Sequence, residues 1–178
     1  MTSKNNKVFR LVLAAMFLAL ALVLPFLTMQ IPKVGKMLSP MHIPVMLCGF
    51  FCGPWYGLIV GLLAPILRFS LFGKPNLMPD VVVMMPELAT YGLVIGILYS
   101  KLPKKKISIY LSLIPAMLAG KIVWGLTYVL LTMLGEVKFG WALFLSKGFV
   151  DALPGLLVQI ILIPILVMVL KKNQRAAE

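Results

Sequence analysis

The constraint that governs everything else in this chain is a series of six long apolar stretches whose flanking lysines and arginines fall on alternate sides. Hydrophobic residues make up 61% of the 178 residues and the mean hydropathy is +1.03, values of a chain that sits in lipid. Each stretch approaches the roughly 20 apolar residues that a helix needs to cross a bilayer core. Helices are the only open-ended spanning structure that satisfies its own backbone there. The expected spans are 8–29, 40–52, 54–72, 80–100, 107–134 and 142–170, the second of them short and joined to the third by a Gly53-Pro54 turn. The fold class expected is an all-α integral membrane protein, a six-transmembrane-helix bundle with both termini cytoplasmic. No linker divides the chain, so residues 1–178 are taken as one domain.

Charge supports the same layout. The formal net charge is +12, which in a soluble protein would point to nucleic acid. Here the basic residues gather at span ends: Lys4, Lys7 and Arg10; Lys101, Lys104, Lys105 and Lys106; and Lys171, Lys172 and Arg175. An even number of spans puts these clusters on one face, which the positive-inside rule makes cytoplasmic. The opposite loops hold Lys33, Lys36, Lys74 and Lys138, the last near Glu136. A multi-pass protein of a bacterial plasma membrane is expected, in contact with lipid and not with nucleic acid. The N-terminus resembles a signal n-region, but the apolar run after it is long and lacks a convincing small-residue cleavage site before Pro25, so it is read as a retained span.

Cys48 and Cys52 lie on one helix face, poorly directed for a mutual disulfide and with too few histidines nearby for a metal site. They read as small buried apolar residues. Gly49, Gly53, Gly57 and Gly61 recur every fourth residue, Gly92 and Gly96 repeat the spacing, and Ala15 and Ala19 form a similar pair in the first span. Such stripes let helix backbones approach closely, either inside the bundle or against a second membrane protein.

Polar residues inside the spans carry the functional information, because a charge in hydrocarbon costs about 2.5–3.5 kcal/mol even on the lenient insertion scale. Arg68, Glu87, Lys121, Lys147 and Asp151 are such residues, all but Lys121 in the outer half. Lys147 with Asp151 and Arg68 with Glu87 are possible ion pairs; the alternative is a polar cavity open to the outside. His42 stands between Pro40 and Pro44, where broken helix hydrogen bonding would leave backbone groups free to meet a ligand. Asn76 lies in a turn-rich outer loop. Tyr91, Trp124, Tyr128 and Trp141 offer flat surfaces with polar tips. The candidate substrate contacts are therefore His42, Arg68, Asn76, Glu87, Tyr91, Lys121, Trp124, Lys147 and Asp151, with no catalytic group, metal or cofactor called for.

The six-span layout, the basic lead into Ala15-x-x-x-Ala19, and the run His42-Ile43-Pro44-Val45-Met46-Leu47-Cys48-Gly49-Phe50-Phe51-Cys52-Gly53-Pro54-Trp55-Tyr56-Gly57 resemble the substrate-binding S component of an energy-coupling factor (ECF) vitamin transporter. The resemblance extends over nearly the whole chain. It implies a subunit of an ABC importer that captures a water-soluble vitamin from outside and has no ATPase of its own. It further implies docking through the Ala15 and Ala19 face onto a transmembrane T component that carries two ATPase subunits, followed by toppling in the membrane to release cargo inward. The absence of a Gly-x-x-x-x-Gly-Lys-Ser/Thr loop fits that dependence.

Among the family's cargoes, Arg68, Lys121 and Lys147 favour a carboxylate, and Glu87 and Tyr91 favour hydroxyl or amide groups. Pantothenate is thus the first choice, with riboflavin, folate, cobalamin and lipoate open. A self-sufficient secondary transporter is the other transport reading, although no inverted repeat is visible. An intramembrane enzyme is disfavoured by one histidine and five carboxylates.

Overall fold

The structure, a computed structural model, describes residues 3–28, 40–73, 75–103, 105–135 and 153–176. Among the described residues the chain forms six α-helices and no strand: α1 (Ser3–Thr28), α2 (His42–Cys52), α3 (Pro54–Phe72), α4 (Val82–Lys101), α5 (Lys106–Met133) and α6 (Leu153–Ala176). A π-helical turn, Leu77–Val81, leads into α4. Five of the helices are long and apolar enough to cross a membrane, and α2 is a shorter apolar helix of 11 residues. At 1.5 Å per residue α2 rises about 16 Å, roughly half of a hydrocarbon core about 30 Å thick. The expected spans coincide in place with the described helices, but five of them and not six are long enough to cross, α2 being the exception; positions 142–152 of the sixth lie outside the described residues.

Each of the five long helices contains an internal proline, Pro25, Pro65, Pro86, Pro115 and Pro164. Membrane helices tolerate this because neighbours re-satisfy the carbonyl that the missing N–H leaves free. The expected helix break at Pro44 does not occur. Pro44 lies in the first turn of α2, where an N–H would have no acceptor within the helix in any case.

Helix α4 is the centre of the bundle. It packs on α2, α3 and α5; α1 lies on the far side of α2 and α3, and α6 packs on α2 and α5. Glycine decides how close α4 comes. A Cβ on Gly92 would sit 2.3 Å from the Gly57 carbonyl oxygen, and one on Gly49 2.7 Å from the Gly92 oxygen, so backbone meets backbone where α2, α3 and α4 cross. The glycine stripe is therefore internal packing and not a surface for a second protein. Gly53, at φ 100°, makes the turn from α2 into α3 in a conformation that other residues rarely adopt.

The alanines of α1 divide differently. Ala14 and Ala21 are buried, with Phe17, against α2 and α3, and Phe17 stacks on Phe51 at 6.1 Å between centroids. Ala15 and Ala19 are exposed, among the exposed side chains of Val12, Met16, Leu20 and Val23. Cys48 and Cys52 are free and buried, as the spacing predicts.

The helix ends sort by charge. Lys171 at the end of α6 donates a hydrogen bond to the Tyr99 hydroxyl near the end of α4, which brings the basic ends of those two helices together. At the opposite end Phe26 of α1 meets Phe72 of α3 edge-on at 4.7 Å.

Candidate functional site

Three of the candidate residues converge on one carboxylate oxygen of a fourth. Glu87, one turn into α4, is 2% exposed, and among the described residues it is the buried carboxylate of the bundle. Its Oε1 accepts a hydrogen bond from the Tyr91 hydroxyl at 2.7 Å and forms an ion pair with Lys121 Nζ of α5 at 2.7 Å. His42 Nε2, at the first residue of α2, lies 3.9 Å from the same oxygen. Glu87 and Tyr91 share a face of α4 because they are four apart. The His42 and Tyr91 rings sit 5.6 Å apart at a tilt of 52°.

Packing fixes this cluster. The Tyr91 ring fills a notch at Gly120 of α5, where a Cβ would fall 2.1 Å from Tyr91 Cε1. That notch lets α5 approach α4 closely enough for Lys121, the next residue, to reach Glu87. The charge requirement then explains the geometry: a carboxylate and an ammonium buried among apolar helices persist only as a paired, hydrogen-bonded set. Lys121, expected apart from the outer-half charges, is the partner of Glu87.

Aromatic side chains lie beside the pair. Lys121 Nζ stands 5.6 Å from the Trp124 ring centroid, and Trp124 stacks on Tyr128 at 5.4 Å with the planes 14° apart. Trp124 is half-buried and Tyr128 buried. Tyr128 and Leu131 pack with Val83 into a small apolar cluster of their own.

Arg68 goes elsewhere. Its Nη1 donates to the Leu22 carbonyl oxygen of α1 at 2.6 Å, and its guanidinium lies 5.1 Å from the Phe26 ring and 5.7 Å from the Phe72 ring. The expected Arg68–Glu87 bridge is thus not formed. Both residues are in the same half of the bundle, but α3 turns Arg68 toward α1 while α4 turns Glu87 toward α2 and α5. Asn76 is exposed in the turn before the π-helical segment, where its carbonyl accepts the Val81 N–H at 3.1 Å; it is not brought to the Glu87 cluster. Lys147, Asp151 and Trp141 lie outside the described residues.

One residue of this level escaped the sequence reading. Gln159 of α6 is 2% exposed and heads a ridge with Ile163 and Val167, both 0% exposed, that ends at Lys171. Counted from the Lys171–Tyr99 contact at 1.5 Å per residue, Gln159 on α6 and Glu87 on α4 both lie about 18 Å along their helices. Gln159 Oε1 and His42 Nδ1 are buried with no hydrogen-bond partner. The signal for Gln159 in the sequence is an uncharged amide in an otherwise apolar stretch.

Among the described residues no group of histidine, cysteine and carboxylate side chains could hold a metal ion. The arrangement gathers a balanced ion pair, a hydroxyl and an imidazole around one buried carboxylate oxygen. Comparison with curated proteins gives no match, nor does comparison with solved structures. The family model described as "ECF transporter, substrate-specific component" matches residues 9–167, most of the chain. This membrane protein therefore belongs to the family of substrate-specific components of ECF transporters.

Proposed function

We propose that the chain is the cargo-capturing subunit of an ECF-type ABC importer, that the His42–Glu87–Tyr91–Lys121 cluster is its binding site, and that pantothenate is the first candidate cargo. The observation that carries this reading is the cluster itself, a set of polar groups held at one depth inside an otherwise apolar bundle. Such groups destabilise a bundle made only to pack, and a binding role accounts for them.

The details favour a small polar molecule with an anionic end. Helix α2 starts about half-way across the hydrocarbon layer and has no side-chain cap at its N-terminus. The first-turn amides there have no acceptor within the helix, and the positive end of the helix dipole favours a carboxylate. With Arg68 engaged on α1 and Lys121 balanced by Glu87, the support for a carboxylate rests on this N-terminus. Glu87, Tyr91 and His42 suit hydroxyl and amide groups, and the Trp124–Tyr128 stack supplies a flat wall for aliphatic portions. Pantothenate combines all three features. Riboflavin, folate, cobalamin and lipoate are the alternatives.

The same reading makes the exposed Ala15 and Ala19 face of α1 the surface that docks on the T component of a module driven by two ATPases. It also places the basic helix ends in the cytoplasm, following the positive-inside rule. Mass spectrometry of the small molecule that copurifies with the protein, followed by calorimetry with that compound on wild type and on Glu87→Gln with Lys121→Met, tests the reading. A bound vitamin whose affinity falls at least tenfold in the double variant is the expected result. Unchanged affinity would remove the site.

A further inference from the structure

Among the described residues, two buried polar atoms of the bundle are left unanswered. His42 Nδ1 and Gln159 Oε1 are both buried and lack a hydrogen-bond partner, in side chains that belong to residues 5% and 2% exposed. Native interiors rarely leave such atoms unpaired, and an exception calls for a ligand or a function. The two helices that carry them, α2 and α6, pack on each other, and helix rise puts Gln159 within about a turn of the depth of Glu87.

Their chemistry is the same. The His42 nitrogen that faces the Glu87 carboxylate is Nε2, at 3.9 Å, so in the neutral ring the proton belongs on Nε2 and Nδ1 is left as an acceptor. The Gln159 oxygen is also an acceptor. Two acceptors cannot satisfy one another. The Tyr91 hydroxyl proton is already engaged on Glu87. What completes the set is a molecule that brings donors, and the Glu87–Lys121 pair, being balanced, asks for no further charge at this point.

We propose that Gln159, together with the Nδ1 edge of His42, is a specificity-determining contact that accepts hydrogen bonds from uncharged N–H or O–H groups of the cargo. This rests on the capture reading above and sharpens it: the hydroxyl or amide part of the ligand faces α2 and α6, whatever holds its charged part. A ligand of the same shape lacking those donors would leave both acceptors buried and unpaired, which is how a polar pocket rejects a near-isostere.

The chain has a single histidine, so protein labelled with ¹⁵N-histidine reports on His42 alone. In cargo-free protein the ring should show a protonated Nε2 and a bare Nδ1. Adding pantothenate should shift Nδ1 toward an accepting hydrogen bond without protonating it. In calorimetry Gln159→Leu should weaken pantothenate and its uncharged alcohol, pantothenol, by the same factor, roughly five- to thirtyfold. Should wild type bind riboflavin, folate, cobalamin or lipoate in place of pantothenate, the same comparison is made with that vitamin. Unchanged affinity in a folded Gln159→Leu protein, or a proton on Nδ1 in the cargo-free ring, overturns the proposal and leaves the capture reading standing. If Gln159→Leu does not fold, Gln159→Met takes its place in the same calorimetric comparison, and the wild-type ¹⁵N titration tests the His42 half on its own. Wild type that binds none of the five vitamins refutes the capture reading, and this inference falls with it.

Discussion

Replacing Lys121 by methionine keeps the length of the side chain and removes the charge that balances Glu87. The carboxylate is 2% exposed and the ammonium lies 2.7 Å from it, so the change strands a buried anion, a loss of about 3–5 kcal/mol when nothing compensates. Compensation is partial here. The Tyr91 hydroxyl still donates to the same oxygen, a bond to a charged acceptor worth about 1.5–3 kcal/mol, and His42 remains close. A loss near 3 kcal/mol, at the low end of the range, is the expected cost. Glu87→Gln alone should cost less, because the Lys121 side chain is 16% exposed and water can reach it. The double variant buries no charge and should lie within about 1 kcal/mol of wild type. Unfolding in mixed micelles, followed by tryptophan fluorescence, gives all four corners of the cycle, with an expected coupling of about 2–3 kcal/mol. Additive single losses, with coupling below about 0.5 kcal/mol, would mean that the two groups do not pair and that Glu87 is held by something else.

Three further outcomes are expected. Arg68→Ala should lower stability by about 1.5–3 kcal/mol through its bond to the Leu22 carbonyl while leaving cargo affinity within a factor of about two, well under the tenfold that 1.4 kcal/mol represents; a tenfold loss of affinity in a folded variant would return Arg68 to the binding site. Bulky replacements of both Ala15 and Ala19 should abolish complex formation and uptake but spare cargo binding by the isolated chain, checked by co-purification and calorimetry; loss of binding as well would make the pair internal. Cysteines placed at Lys4, Lys104 and Asn173 should resist an impermeant reagent in intact cells while one at Asn76 reacts, and labelling of position 104 from outside would overturn the proposed orientation.

The helices were legible because a long apolar stretch bounded by lysines has few alternatives in lipid, and the glycine spacing announced close backbone contact without saying between which helices. Within one helix the site was legible too: Glu87 and Tyr91, four apart, had to share a face. Between helices it was not. Depth and rotation about the helix axis decide which charges meet, and neither can be counted along the chain to better than a turn. So Arg68 was matched to Glu87 by depth alone, whereas rotation sends it to Leu22, and Lys121 was set apart although it supplies the ion pair. Gly120 illustrates the same limit. Its lack of a side chain matters only because Tyr91 arrives opposite it, which is a fact of packing between α4 and α5.

The placement of rigid contacts bears on how binding and docking relate. Backbone-to-backbone packing at Gly49, Gly57 and Gly92 locks α2 and α3 to α4, so the main-chain frame that carries His42 and Glu87 is held rigidly. Helix α1 is attached differently, through Phe17 on Phe51, the Phe26–Phe72 contact and the Arg68 bond to Leu22. Side-chain contacts of this kind yield more readily than glycine contacts, and α1 touches no residue of the Glu87 cluster among the contacts described. Among the described residues, a displacement of α1 on meeting a partner would therefore reach His42 chiefly through α2, and Glu87 chiefly through α2 or α3. The Arg68 bond is a polar link on the second of those routes. Its loss should loosen α1 against α3 before it disturbs the carboxylate, which is why stability and affinity are expected to respond separately in the Arg68→Ala variant.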